Sequence, residues 1–439
     1  MRRRSLLLGG LGTGVLAAAG ALALRPGDNG QPHDAYFRGL QTELKRQGLM
    51  RPCMVIDLDR LDHNIAEVTQ SVARGGKHLR LVEKSLPSPR LLDYISRQAG
   101  TRRLMSFHQP FLNHDVLDMP DADILLGKPM PVAMAATFYR DLRGAFDPAR
   151  QLQWLVDTPA RLREYLALAQ GLGTRMNINI ELDVGLHRGG VPADEAGGRV
   201  LAALLEIIAA HPRELAFSGF MGYEPHVVML PGLLGSPDEL LAQAMAVYQR
   251  RVDQLRRTLP ELWPALPQAP GHDGARGLTF NTAGSPTYRL HERERLSNDI
   301  SVGTGLLKPS HYDLPTLATH QPAVFISTPV LKTTGPVRLP GLDDASRLFS
   351  WWDVNQRETL FIYGGNWLAD PVSPAGLQAN GLYGRSSNQE IVNISPSAGV
   401  RVDDLVFLRP TQSEAVLLQF GDLVVVRGGK VVDTWPVFS

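Results

Sequence analysis

Four segments of this chain bring reactive or anion-binding residue types to the ends of apolar runs. The first is Arg80-Leu81-Val82-Glu83-Lys84-Ser85, which stops on a lysine. A lysine amine condenses with aldehydes, and desolvation or nearby cations lower its pKa from ~10.4 toward neutrality. The plainer reading is a surface lysine after a strand. The second is Glu181-Leu182-Asp183-Val184-Gly185-Leu186-His187-Arg188-Gly189-Gly190-Val191, which crowds two acids, an arginine and three glycines into one turn. A glycine-rich turn with a solvated arginine would look the same. The third, Phe280-Asn281-Thr282-Ala283-Gly284-Ser285-Pro286-Thr287-Tyr288, and the fourth, Gly303-Thr304-Gly305, are turns of small residues. Small residues let backbone N–H groups approach an anion, the hydroxyls of Ser285 and Thr287 add donors, and a helix starting near Pro286 would aim its positive end at a phosphate.

These segments need a scaffold that gathers strand ends. From residue 50 to 307 apolar, β-branched runs alternate with helical patterns. The runs are Cys53–Asp59, Leu79–Lys84, Arg103–Phe107, Ile124–Lys128, Gln153–Asp157, Asn177–Val184, Phe217–Tyr223, Leu278–Ala283 and Ile300–Gly303. Continuous apolar runs suit buried parallel strands. Helices are expected over Thr158–Gln170, Glu195–Ala210 and Pro237–Thr258, with Thr158 capping a helix whose first residue is Pro159. The alternation predicts a (β/α)8 TIM barrel, with an open doubly wound sheet as the structural alternative. In a barrel, residues at the C-terminal strand ends share one mouth, and paired phosphate-gripping turns follow its last two strands. After Tyr312 the pattern shifts to short strands. Asp422–Arg427 and Lys430–Trp435 flank Gly428-Gly429 as a hairpin, and Thr359–Tyr363 precedes Gly364-Gly365. The expected layout is therefore an export segment at 1–30, a barrel at 31–311 and a C-terminal antiparallel β domain at 312–439.

The composition excludes several classes. Apolar residues make up 44%, and 45 basic side chains nearly cancel 44 acidic ones, so no nucleic-acid partner is expected. One cysteine, Cys53, forms neither an intramolecular disulfide nor a zinc cluster. At the N-terminus Arg2, Arg3 and Arg4 precede an uncharged stretch from Ser5 to Leu24, and Ala21-Leu22-Ala23 offers a cleavage site. Arg3-Arg4-Ser5-Leu6-Leu7 resembles the twin-arginine export motif, so a periplasmic protein is expected, with a membrane anchor over residues 6–24 as the alternative. No other membrane segment is expected.

In order and spacing, these segments resemble the fold-type III pyridoxal-phosphate (PLP) family, the alanine racemase-like barrels, and within it the D-threonine aldolase and D-serine dehydratase branch. Pro52–Asp62 resembles the family's first strand and helix, and Arg80–Pro89 its cofactor-lysine segment. The resemblance implies that Lys84 holds PLP as a Schiff base, that Arg188 lies near the ring oxygen, and that Tyr223 lines the ring. It further implies that Asn281, Gly284, Ser285, Thr287, Gly303 and Thr304 bind the phosphate side. Tyr223 and His226 are the acid/base candidates besides Lys84, and Tyr383 is a remoter one that would reach a partner subunit. The branch's C-terminal metal pair, His-x-Cys or His-x-Asp, reads here as Gln412-Ser413-Glu414, and the upstream signature histidine is missing from Ser387-Asn388-Gln389-Glu390. Gln412 is a poor replacement for an imidazole, whereas Glu414 is able to bind a divalent ion, so no metal site is assigned. The implied function is a PLP-dependent lyase acting on a D-β-hydroxy amino acid, in a homodimer. An amino-acid racemase and a non-catalytic PLP-binding protein are the alternatives.

Overall fold

The computed structural model describes residues 25–261, 277–338, 341 and 350–438. The segment from Ser5 to Leu24, on which the expected export signal and anchor fall, lies outside the described residues. Among the described residues no helix is long and apolar enough to cross a membrane.

Eight parallel strands close into a barrel, so the doubly wound alternative is discarded. The chain enters through β1 (Cys53–Asp57), which is not a barrel strand. The barrel then runs β2 (His78–Val82), β3 (Arg103–Ser106), β4 (Asp123–Leu126), β5 (Leu152–Val156), β6 (Met176–Leu182), β7 (Leu215–Gly222), β8 (Thr279–Thr282) and β9 (Asp299–Val302). Closure comes from β9 pairing in parallel with β2, Arg80 lying opposite Ser301. Helices separate most of the strands, and their starts follow the expected chemistry. The Thr158 side chain accepts from Arg161 N ahead of helix Pro159–Leu172. Ser236 and Glu239 form a reciprocal capping box at the start of helix Pro237–Thr258. Helix Glu195–Ala210 buries Leu201, Leu204, Leu205 and Ile208 at helical spacing.

Strand side chains alternate between the barrel interior and its outer face. Arg80 of β2, Arg103 of β3, Asp123 of β4 and Asp299 of β9 meet at the floor. Arg80 is fully buried; its Nε and Nη2 donate to the two Asp299 oxygens at 2.8 and 3.0 Å, and its Nη1 donates to the carbonyls of Leu104 and Asp123. Asn281 Nδ2 adds a 2.6 Å bond to Asp299. Two residues further along the same strands lie Val82, Met105 and Ser301, and these line a cavity.

The second unit is built on a nine-stranded sheet that continues with β10 (Val324–Thr333), β11 (Glu358–Tyr363), β12 (Ala369–Ser373), β13 (Gln378–Ala379), β14 (Gln389–Ile394), β15 (Leu405–Pro410), β16 (Asp422–Arg427) and β17 (Lys430–Pro436). Its order is β13-β14-β11-β10-β1-β16-β17, with β15 pairing both β10 and β12. Pairs β10–β11, β10–β15, β11–β14 and β12–β15 are antiparallel. The Gly428-Gly429 hairpin forms as expected, with φ of 55° and 71° at the two glycines.

The expected boundaries change. Among the described residues, those up to Val55 cluster with those of Phe325–Pro410 and Val426–Asp433, while those of Thr411–Val425 and from Thr434 onward cluster with the barrel residues of Ile56–Val324. Two physical reasons account for the first shift. All five residues of β1 are buried, and β1 hydrogen-bonds between β10 and β16. Phe37, on helix Ala35–Arg46, packs its ring 5.2 Å from Phe325 and 4.9 Å from Phe407. Residues 25–30, placed in the export segment, also bond within this unit: Arg25 Nε donates to Trp352 O at 2.8 Å, and Asn29 N to Asn355 Oδ1 at 3.0 Å.

Candidate active site

Lys84 sits in a single 3-10 turn, Glu83–Ser85, immediately after β2. The turn directs its amine into a cavity of about 110 Å3 at the C-terminal ends of the strands. Nine of the residues named from sequence come together there: Lys84, Arg188, Tyr223, Asn281, Gly284, Ser285, Gly303, Thr304 and Glu414. The Lys84 Nζ lies 4.8 Å from the centre of the Phe107 ring and 3.7 Å from Glu414 Oε1. Arg188 stacks its guanidinium 5.0 Å from the centre of the Tyr223 ring. Burial pushes the Tyr223 phenol up, so the group stays protonated.

The two small-residue turns lie beside each other because β8 pairs with β9. Ser285 Oγ joins them, accepting from Gly303 N at 3.3 Å and Gly305 N at 2.8 Å. Close packing dictates glycine at two positions. A Cβ on Gly284 would stand 2.4 Å from Tyr223 Cε2, and one on Gly303 would stand 2.7 Å from Val82 Cβ. The helix expected near Pro286 is instead a short 3-10 segment, Tyr288–Glu292, so no α-helical N-terminus faces this turn.

Two expected site residues stand outside the cavity lining. Thr287 is buried; its Oγ1 donates to Glu224 Oε1 at 2.7 Å and accepts from Gly284 N at 3.2 Å, so it braces the turn from behind. His226 opens the short helix His226–Met229, with its Nε2 beside Gly185. Burial lowers its pKa and favours the neutral ring. It is therefore not the group that faces the Lys84 amine. Of the weak metal candidates, Glu414 lines the cavity and Gln412 is exposed outside it. Among the described residues no three His, Cys, Asp or Glu side chains converge as a metal-ligand group. Tyr383 is exposed, and its hydroxyl donates to Arg338 O.

One group of the cavity wall and several buried carboxylates outside it carried no functional signal in the sequence. Phe107 follows β3 as Lys84 follows β2, so the place at the end of an apolar run that singled out Lys84 held for Phe107 as well. Glu224 stands between the two acid/base candidates Tyr223 and His226 and carried no signal of its own in the sequence. Burial alone would raise its pKa, but the His291 imidazole at 3.1 Å, Thr287 and Ala283 N together hold it below the ordinary value. Glu83 and Asp115 are both buried close to Ser106. Burial pushes Asp115 up to about 8 and Glu83 well above its ordinary value, with Asp115 adding to the latter shift. Near the end of β6, burial pushes Glu181 up to about 7, and Arg188 pulls the other way.

Known proteins share this architecture. Residues 56–269 match the family model described as alanine racemase, N-terminal domain. The D-threonine aldolase from Filomicrobium marinum superposes with a TM-score of 0.65 at 16% identity, covering 88% of this chain and 96% of its own. D-threo-3-hydroxyaspartate dehydratase from Delftia sp. HT23 gives 0.64 at 18% identity, with 88% and 97% covered. The alanine racemase from Bacillus anthracis gives 0.60 at 14% identity, with 88% and 98% covered. At these identities the likeness concerns the fold. No curated protein sequence matches the chain.

Proposed function

We propose, on the premise that residues 56–269 match the alanine racemase N-terminal domain and that the barrel has the fold of fold-type III PLP enzymes, that the protein is a PLP-dependent lyase acting on a D-β-hydroxy amino acid, by D-threonine-type aldol cleavage or D-serine-type dehydration. One observation carries the proposal. The Lys84 amine opens into the same cavity as the two small-residue turns that follow the neighbouring strands β8 and β9.

The residues fit such a cofactor. The two small-residue turns bring their backbone and the Ser285 hydroxyl to the cavity wall, where they offer donors to a phosphate. Lys84 would hold the aldehyde carbon, with Tyr223 and Arg188 beside the ring. When bound, PLP supplies an electron sink that lets a bond at the amino-acid Cα break. Lys84 is the amine placed to move a proton at that carbon. Tyr223, kept protonated by burial, holds a hydrogen-bond donor in the wall.

A racemase is the second reading, favoured by one feature. Two phenols, Tyr223 and Tyr312, line the cavity together with Lys84, and racemisation needs a base on each face of Cα. The deciding experiment is a visible spectrum of the PLP-loaded protein before and after D- and L-amino acids, with product assays. A cofactor band that disappears in Lys84→Ala, together with aldehyde from D-threonine or keto acid and ammonia from D-serine, is the expected result. Cα deuterium exchange with loss of optical rotation, and no cleavage, would establish the racemase. A band unaltered by every amino acid would leave a PLP carrier and reject both.

The proposal includes a homodimer, to be checked by light scattering, and export by the twin-arginine-like N-terminus. An intact N-terminus in the mass spectrum of periplasmic protein would reject cleavage of that segment.

A further inference from the structure

Three charged side chains line the cavity among the described residues: Lys84, Arg188 and Glu414. Glu414 is the one carboxylate. It lies on the segment after β15 that clusters with the barrel and is tied to it where His311 N donates to Thr411 O at 3.3 Å. Glu414 Oε1 accepts from Ser85 Oγ at 2.7 Å and from Thr304 Oγ1 at 3.3 Å. Thr304 Oγ1 also lies 2.8 Å from Ser85 Oγ, so three barrel-unit segments converge on this one oxygen.

Ser85 therefore holds the carboxylate, backed by Thr304, whose one hydroxyl proton is shared between Ser85 Oγ and Glu414 Oε1, while the Lys84 ammonium at 3.7 Å stands beyond hydrogen-bond reach. Glu414 Oε2 has a single contact, the adjacent Ser413 Oγ at 3.4 Å. An ionised carboxylate offers about four acceptor positions, so this one keeps capacity for a further donor. Its place beside the Lys84 amine is also its place beside whatever reacts there. A donor on the neighbouring carbon of a ligand would gain a charge-assisted hydrogen bond, and a second carboxylate there would meet a like charge.

We propose that Glu414 is a specificity-determining residue that selects amino acids with a hydrogen-bond donor, hydroxyl or ammonium, on Cβ, and disfavours those with a carboxylate there. This rests on the functional reading above and narrows it. Among β-hydroxy amino acids, the class with a neutral or basic side chain is favoured over hydroxy-dicarboxylic acids.

The test is a binding titration, read from the cofactor absorbance of PLP-loaded protein, with D-serine, D-alanine and D-aspartate. The wild type should bind D-serine about tenfold more tightly than D-alanine, with D-aspartate weakest. Glu414→Gln should weaken D-serine several-fold and tighten D-aspartate by about tenfold. A gain for one ligand beside a loss for another cannot come from general damage to the fold, which would weaken all three. An unchanged ranking of the three ligands in Glu414→Gln overturns the proposal while the functional reading stands. A wild type without any cofactor band overturns the functional reading itself. Stoichiometric divalent metal in the wild type that Glu414→Gln loses, with D-serine binding abolished by a chelator, overturns the proposal in favour of a metal ligand.

Discussion

At the floor of the barrel, Arg80 donates to both oxygens of Asp299 and to two backbone carbonyls, and no water-exposed surface remains on it. At the mouth, two residues beyond Val82, Lys84 is half exposed and meets one carboxylate at 3.7 Å and the face of one ring. Arg188 likewise has no ion-pair partner within 4 Å among the described residues and rests on Tyr223. Strand β2 thus carries Arg80 into the floor and leads into the turn that brings Lys84 to the mouth. At the floor, every charge is neutralised within the protein, as burial demands. At the mouth, charges keep unused hydrogen-bonding capacity, which is what a ligand needs. Charge and burial by themselves do not separate a structural cluster from a functional one; the degree of internal satisfaction does.

Substitutions at the two ends should separate the roles. Lys84→Ala should remove the cofactor band and lower turnover by roughly a thousandfold or more, with the unfolding midpoint little changed, because a half-exposed pair contributes at most about 1 kcal/mol. A retained band would break the contrast outright. Asp299→Ala should do the reverse and destabilise the barrel by about 3–5 kcal/mol in denaturant unfolding, since it leaves Arg80 buried without its carboxylate. The pair Arg80→Met with Asp299→Leu should lose less than Asp299→Ala alone.

Gly284→Ala tests how tightly the mouth is built. The new Cβ must displace the Tyr223 ring, at a cost of about 1–3 kcal/mol, and PLP affinity should fall with it. Wild-type affinity in this variant would show that the turn has room to spare. The last test is a slope. Asp115 titrates at about 8 in the folded protein against ~3.9 in an unfolded chain. Folding then takes up a proton between these values, so stability is fullest below about pH 4 and declines until pH passes about 8. Asp115→Asn should flatten the fall of the melting temperature between pH 5 and pH 8.5. An unchanged slope would mean that Asp115 ionises normally.

Much of this was legible in the chain. The runs that became β2 to β9 carried their burial in continuous apolar residues, and Thr158-Pro159 and Gly428-Gly429 carried their own local geometry. Lys84, Arg188, Ser285 and Gly303 were found because strand-end position is a local property. His226 was misplaced because the type of a residue does not fix which way a turn sends it. Glu414 was read only as a damaged metal ligand, and Tyr312 gave no signal at all. Tyr312 reaches the cavity from beyond β9, outside any strand-end turn, and Glu414 from a segment 330 positions from Lys84.

By itself the sequence determined the alternation of strand and helix, the turn chemistry and the identity of the amine at the end of β2. These depend on side-chain periodicity and on backbone preferences a few residues long. Only the tertiary structure decided that β1 leaves the barrel for the other sheet, that Asp299 closes over Arg80, and that Glu414 stands beside Lys84. Those pairings join residues hundreds of positions apart, and what selects them is the need to satisfy buried backbone and charge in three dimensions.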